Sequence, residues 1–376
     1  MGGSLQLKHI LFVTTIYRIG ERIFPIIPKL AETYKLSLLT LYQMHPEGKY
    51  QTWNGTYDMR NRFHSVYDKY FENHWSGPVF TTDVYGRGMI NLSQFDGVIH
   101  DDCRDRSGLD ELYEQAKLNG IPMLGNQHGG NDFKPNTYPV TGIDSNFDKM
   151  FMFGQNEIDY FKDYADGSRY LLGGIPSNDK LKDYDRSNEH ILVITQFLGN
   201  NPKSYYKGYE FNERFVDRIG LKEIQEKYDR PVLVKVKSRG HDAPSYNTDI
   251  NYVNNLLSKS EISGEVIFDV EDDNKLISDS VCVVGAGSTL MYKPIQKGIP
   301  TVIIKGAGES DFFGSFGGLL ELDWGLRTEI GTNKLIDELE KQEKLGRDPN
   351  YLNYIIHGSY DYTSTEKYVE AVKELI

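Results

Sequence analysis

Apolar residues in this chain gather in short runs of strand length, and most runs are followed by a stretch with apolar residues every three or four positions. The first run is His9 to Thr15 (HILFVTT), with Ile19, Ile23, Ile26, Ile27 and Leu30 at helical spacing behind it. Tyr34 to Tyr42 (YKLSLLTLY) predicts a second strand, and a polar, aromatic stretch over 43–90 follows without that rhythm. The pattern resumes with a strand at Phe95–His100, a helix over Leu109–Leu118 and a strand at Ile121–Asn126. Lys149–Phe153 and Tyr170–Leu172 complete a first half.

The rhythm then restarts. Glu189–Gln196 (EHILVITQ) resembles the opening strand, and Asn212–Tyr228 has helical spacing. Pro231–Val236, Glu265–Val270 and the apolar run Val281–Val284 predict further strands, with helical segments at Ile250–Leu257 and Asn274–Asp279. Strands alternating with helices predict parallel α/β sheets. The duplicated rhythm predicts an α/β fold of two Rossmann-like parallel-sheet domains facing across a cleft. The expected division is 1–178, then 187–355, then a C-terminal helix at 356–376 that can cross back to the N-terminal domain. Thr363-Ser364-Thr365-Glu366 has the spacing of a capping box, and Tyr368, Val369, Ala371, Val372 and Ile376 give the following helix an apolar side.

Composition narrows the class. A chain of 376 residues exceeds one ordinary core, and 39% hydrophobic with 26% charged residues fits a globular protein. A formal net charge of −12 argues against non-specific nucleic-acid binding, so no nucleic-acid partner is expected. Cys103 and Cys282 form no metal-ligand spacing and suit a reducing, cytoplasmic setting. No stretch approaches the roughly 20 apolar residues of a membrane span. Met1-Gly2-Gly3-Ser4 lacks the basic start and apolar core of a secretory signal, which leaves membrane contact at most peripheral.

The segment Val281–Ile304 (VCVVGAGSTLMYKPIQKGIPTVII) concentrates the chemistry: strand, glycine-rich turn, short helix, turn, strand. In a parallel sheet the ligand crevice lies beyond the carboxyl ends of the strands. Small residues there let the backbone approach a phosphate, and a helix start offers unpaired N–H groups. Gly287, Ser288 and Thr289 are the candidates for that role. Lys305-Gly306-Ala307-Gly308-Glu309-Ser310 is a second glycine-rich turn after a strand.

Four segments in series resemble GT-B glycosyltransferases, above all the enzymes of bacterial surface-polymer and capsule synthesis, including the CDP-glycerol glycerophosphotransferase type. They are Gly125-Asn126-Gln127-His128-Gly129, Gly173 to Leu181 (GGIPSNDKL), Val232 to Lys237 with Arg239, and Asp279 through Ser288-Thr289 to Pro300. The resemblance implies transfer of a group from a nucleotide-sugar or CDP-glycerol-type donor to a hydroxyl of a saccharide or polymer acceptor. Two positions depart from it. Lys293 stands where a carboxylate often meets the donor ribose, and an ammonium cannot accept hydrogen bonds from hydroxyls. The lysine after His-Gly is displaced by one residue, to Lys134. The alternatives are a sugar-nucleotide epimerase of the UDP-N-acetylglucosamine 2-epimerase type, which shares the architecture and needs no acceptor, and a non-catalytic nucleotide-sugar-binding protein.

Within that frame His128 is the expected general base, since histidine titrates in the useful range and this one follows a strand and precedes Gly129-Gly130. Lys235, Lys237 and Arg239 would stabilise charge on the departing nucleotide phosphate, with arginine able to grip it through two N–H groups. Thr15 and Arg18 behind the first strand, with Gly129 and Gly130, are expected on the acceptor side. The acidic runs His100-Asp101-Asp102 and Asp269–Asp273 read as solvated loops. No metal and no cofactor beyond the activated donor is expected.

Overall fold

The computed structural model describes residues 7–14, 21–40, 50–52, 55–57, 79–81, 90–101, 110–127, 146–161, 166–195, 216, 220–236, 246–267, 270, 272–285, 288–304, 327–328 and 332–376. They divide into two units, one drawn from Met1–His128, Pro135–Asp179 and Ile355–Ile376, the other chiefly from Lys180–Tyr354.

The first unit holds strands β1 (His9–Thr14), β2 (Lys35–Thr40), β5 (Val79–Thr81), β6 (Gly97–His100), β7 (Met123–Asn126), β8 (Lys149–Met152) and β9 (Tyr170–Leu172), with β3 (Tyr50–Thr52) and β4 (Gly55–Tyr57) paired separately as an antiparallel ribbon. The seven-stranded sheet runs β5-β2-β1-β6-β7-β8-β9, every neighbouring pair parallel. All six residues of β1 are buried, as a strand covered on both faces requires. Alternation sends its side chains to two cores. Ile10 and Phe12 pack with helix α1 (Ile26–Ala31) through Ile26, Ile27 and Leu30, and with Tyr368, Val369 and Val372 of the C-terminal helix. Leu11 and Val13 pack on the other face with Leu112, Tyr113 and Ala116 of helix α2 (Asp110–Asn119). Helix α3 (Gln155–Phe161) follows β8.

The second unit repeats the plan. Strands β10 (His190–Ile194), β11 (Val232–Lys235), β12 (Gly264–Ile267), β13 (Ser280–Gly285), β14 (Thr301–Ile304) and β15 (Arg327–Thr328) form a parallel sheet of order β12-β11-β10-β13-β14-β15. Helices α4 (Leu221–Tyr228), α5 (Tyr246–Lys259), α6 (Asp273–Ser278), α7 (Tyr292–Gln296), α8 (Thr332–Leu345) and α9 (Pro349–Ile355) accompany it. Ile191, Val193, Val232, Val234, Cys282 and Val284 meet Leu221, Ile224, Val253, Leu335 and Leu339 in its core. Of the helix expected over Asn212–Tyr228, Leu221–Tyr228 is α4, entered through Gly220 at φ 68°. The expected α/β class, two parallel sheets with interspersed helices, holds.

The last helix, α10 (Ser364–Leu375), belongs to the first unit. The expected capping box does not form: the Thr363 side chain makes no cap bond. Asp179 replaces it from far along the chain. Its carboxylate accepts from the Ser364 N–H at 3.2 Å, the Thr365 N–H at 2.7 Å and the Thr365 hydroxyl at 2.6 Å. A Cβ on Gly174, at φ +66°, would stand 2.3 Å from the His357 carbonyl oxygen, itself bonded by Ser364 Oγ at 2.6 Å. Residues 173–181 therefore dock the C-terminal helix. Among the described residues no helix is long and apolar enough to cross a membrane.

Candidate functional site

In each sheet the strand order reverses direction at one place, between β1 and β6 in the first and between β10 and β13 in the second. Connections leave such a switch point in opposite directions, so a crevice opens at the carboxyl ends of the two strands.

At the first switch point β1 ends in Thr14 and β6 is followed by Asp101. The Thr14 hydroxyl donates to Asp101 Oδ2 at 2.6 Å, and the Asp101 N–H continues the ladder to the Val13 carbonyl at 3.0 Å. His100 Nδ1 lies 3.8 Å from Asp101 Oδ1, with both side chains fully buried. On the neighbouring strand Asn126 donates to the His100 carbonyl at 2.7 Å and accepts from the Tyr368 hydroxyl at 2.8 Å. Tyr368 stacks on Phe151 at 3.9 Å between centroids, and burial pushes its phenol up so that it stays protonated. Gln127 Oε1 accepts from the Phe153 N–H at 2.9 Å. The edge is thus a buried polar layer anchored from behind by α10.

At the second switch point Ile194 pairs with Gly285, the last residue of β13. A Cβ on Gly285 would lie 2.6 Å from Met291 Sδ and 3.1 Å from the Ile194 carbonyl oxygen, so glycine leaves the room that Met291 of the following turn fills against the strand end. Ser288 caps that turn, its hydroxyl accepting from the Leu290 N–H at 3.3 Å. Thr289 opens the short 3-10 helix Thr289–Met291 that leads into α7. Lys235 ends β11 and reaches Asp273 Oδ1 at 3.3 Å. Lys293 on α7 donates to Asn274 Oδ1 at 2.8 Å. Asp272 caps α6 through the Asn274 and Lys275 N–H groups and accepts from the Tyr184 hydroxyl at 2.7 Å. Burial alone would push the Asp272 carboxyl up. The bonds from Tyr184, Lys275 and Asn274, with Lys293 nearby, outweigh it and hold the group below the ordinary aspartate range.

Of the expected site residues, Lys235, Ser288 and Thr289 fall at this one edge of the second sheet. His128, Gly129, Gly130, Thr15, Arg18, Lys237, Arg239 and Gly287 lie outside the described residues, as do Lys134 and the turn 305–310. Two neighbours of these are described: Thr14 ends β1, and Gln127 follows β7. The acidic runs need correction. Asp101 is 1% exposed and hydrogen-bonded, and Asp272 is a helix cap, so neither is a solvated loop carboxylate. The signal for Asp101 was an apolar run ending directly in a charged residue. What the sequence lacked was the strand order that sets it opposite Thr14.

No protein-family model and no curated protein matches the sequence. Solved structures do match in fold over almost the whole chain. A UDP-N-acetylglucosamine 2-epimerase from Rickettsia bellii superposes with a TM-score of 0.57 at 11% identity, covering 98% of this chain and 96% of that one. The enzyme of the same name from Methanocaldococcus jannaschii gives 0.58 at 12% identity over 97% and 99%. The Neisseria meningitidis enzyme, bound to UDP-GlcNAc, gives 0.56 at 13% over 97% and 100%.

The fold is therefore GT-B-like. The expectation of a glycosyl- or glycerophosphotransferase is corrected by the same comparison. The solved structures named above, which span the chain end to end, are 2-epimerases, the stated alternative, and they lend no support to the saccharide or polymer acceptor or the CDP-glycerol-type donor. Identity this low establishes the architecture, which transferases and epimerases share, and that sharing is why sequence segments alone pointed to transfer.

Proposed function

We propose that this protein binds a UDP-activated N-acetylhexosamine and interconverts its epimers at C2. The observation that carries the reading is the extent of the likeness: 97–98% of this chain and nearly all of each 2-epimerase, so both parallel sheets and both switch points are matched rather than one domain.

The chemistry sets what the residues must do. The C2 proton has no adjacent carbonyl to acidify it, so its removal is coupled to departure of UDP from C1. A base takes the C2 proton, the C–H electron pair forms a C1–C2 double bond, and the C1–O bond breaks. Return of a proton to the opposite face of C2, with UDP re-adding at C1, gives the epimer. Charge develops on the departing phosphate, which suits the Ser288-Thr289 turn and the Lys235 ammonium. Proton transfer at C2 needs a group that titrates in the useful range, and His128 is our candidate. Lys293, turned to Asn274, accepts nothing from a ribose. Asp273, on the first turn of α6 beside Asn274, supplies the carboxylate that position 293 lacks.

The test is to incubate the protein with UDP-GlcNAc in deuterium oxide and follow the sugar by proton NMR. Deuterium entering at C2, with the manno epimer appearing, is expected. UDP-GlcNAc binding without exchange would replace this reading with that of a binding protein, and absence of binding would remove it.

A further inference from the structure

The second unit carries a cavity that the proposed reaction does not use. It lies at the amino-terminal edge of the sheet, where Asn188 precedes β10, Arg230 precedes β11, Val281 is the second residue of β13 and Pro300 precedes β14. Arg186, Tyr228 at the end of α4 and Glu343 of α8 complete the lining around about 140 Å³. Strand β13 has six residues and rises about 3.3 Å per residue, which puts this edge about 17 Å from the glycine-rich turn.

The lining sets two guanidinium groups against one carboxylate, Glu343, whose negative charge acts on Arg186. Arg186 bonds the Gly298 carbonyl and Asn188 Oδ1, each at 3.2 Å, and its buried Nε has no partner. Arg230 bonds the Asn188 and Asp229 carbonyls, each at 2.7 Å. Both guanidinium groups are thus held by neutral oxygens, with no carboxylate within ion-pair distance among the described residues. The Tyr228 hydroxyl and the Asn188 Nδ2 make no hydrogen bond there either. Burial keeps the Tyr228 phenol protonated, so it can only donate to an anion. The one carboxylate in the lining, Glu343, lies 3.4 Å from Arg347 outside the cavity. Planar guanidinium forks match the oxygens of a phosphate, and two of them line this space.

We infer that this cavity is a binding site for a small phosphate-type oxyanion, held by Arg186, Arg230, Tyr228 and Asn188. The space, about 140 Å³, accommodates an inorganic phosphate or the phosphate group of a larger ester.

The site is tested by titrating inorganic phosphate into the intact protein by calorimetry, with and without excess UDP. One phosphate is expected to bind in both conditions. Arg230→Gln, at an exposed position, should weaken it at least tenfold, and Tyr228→Phe severalfold, with unfolding midpoints showing both variants folded. No phosphate binding, equal affinity in wild type and both variants, or binding abolished by UDP would overturn the site. The last result would assign the anion to the glycine-rich turn instead, and none of the three bears on C2 exchange.

Discussion

The carboxyl edges of the two sheets share a topology and differ in how their polar groups are held. In the first, Thr14, His100, Asp101, Asn126 and Gln127 are all nearly inaccessible and bonded to one another, to strand backbone or to Tyr368. In the second, Lys235, Asp273 and Lys293 are paired but partly open, with Lys235 16% and Asp273 33% exposed. A buried polar layer is costly to disturb, because each orphaned group loses both its partner and its water. Half-exposed pairs are cheap to open, since water takes over. The first edge is built to hold groups in fixed positions and the second to exchange its partners.

Substitutions can break this contrast. The largest effect is expected for His128→Ala, next along the chain from Gln127, which removes the proposed proton carrier. Deuterium exchange at C2 should fall about 100-fold or more, the range for loss of a proton-transfer group. Unchanged exchange would remove His128 from the chemistry. Next is Asn126→Ala, which orphans the Tyr368 hydroxyl and the His100 carbonyl together. A loss of about 2–4 kcal/mol in urea unfolding is expected, and a loss below 1 kcal/mol would show that water enters the layer.

The amino-terminal edges, by contrast, are alike. His9 opens β1 and bonds Ser37 Oγ at 2.8 Å, while His190 opens β10 and lies 3.1 Å from Ser280 Oγ. Burial lowers both imidazoles below the ordinary histidine value. The unfolded chain then takes up protons before the native one, so their stabilisation is full above the unfolded value, near 6.5, and is lost as pH falls through the folded ones. The urea midpoint should drop between pH 7.5 and pH 5.5, and the drop should shrink in His190→Gln. The smallest effect is expected for Lys293→Ala at the open second edge, at most about 1 kcal/mol in the same assay. A larger loss there would erase the distinction between the edges.

Much of the fold could be read along the chain because its strands are buried on both faces. HILFVT, GVIH, HILVI and SVCVVG announce themselves as continuous apolar runs, and the glycine-rich turn after the last of these lies where the crevice rule puts it. The reaction was not legible in the same way. The Gly173–Leu181 segment looked like part of a transferase signature, yet Asp179 spends its carboxylate on the start of α10. The acidic run after His100 looked solvated, because hydropathy does not distinguish a loop carboxylate from one covered by neighbours distant in sequence.

By itself, then, the sequence determined what depends on neighbours along the chain: the two alternating halves, the parallel sheets and the turn at Ser288-Thr289 after β13. Tertiary structure alone decided which strands lie side by side. That order joins Thr14 to Asp101 across 87 positions and Asp179 to Thr365 across 186. It also gathers Arg186, Tyr228 and Arg230 around one cavity. Such partners follow from strand order and helix docking, which are settled by burying apolar surface globally and leave no local periodicity to read.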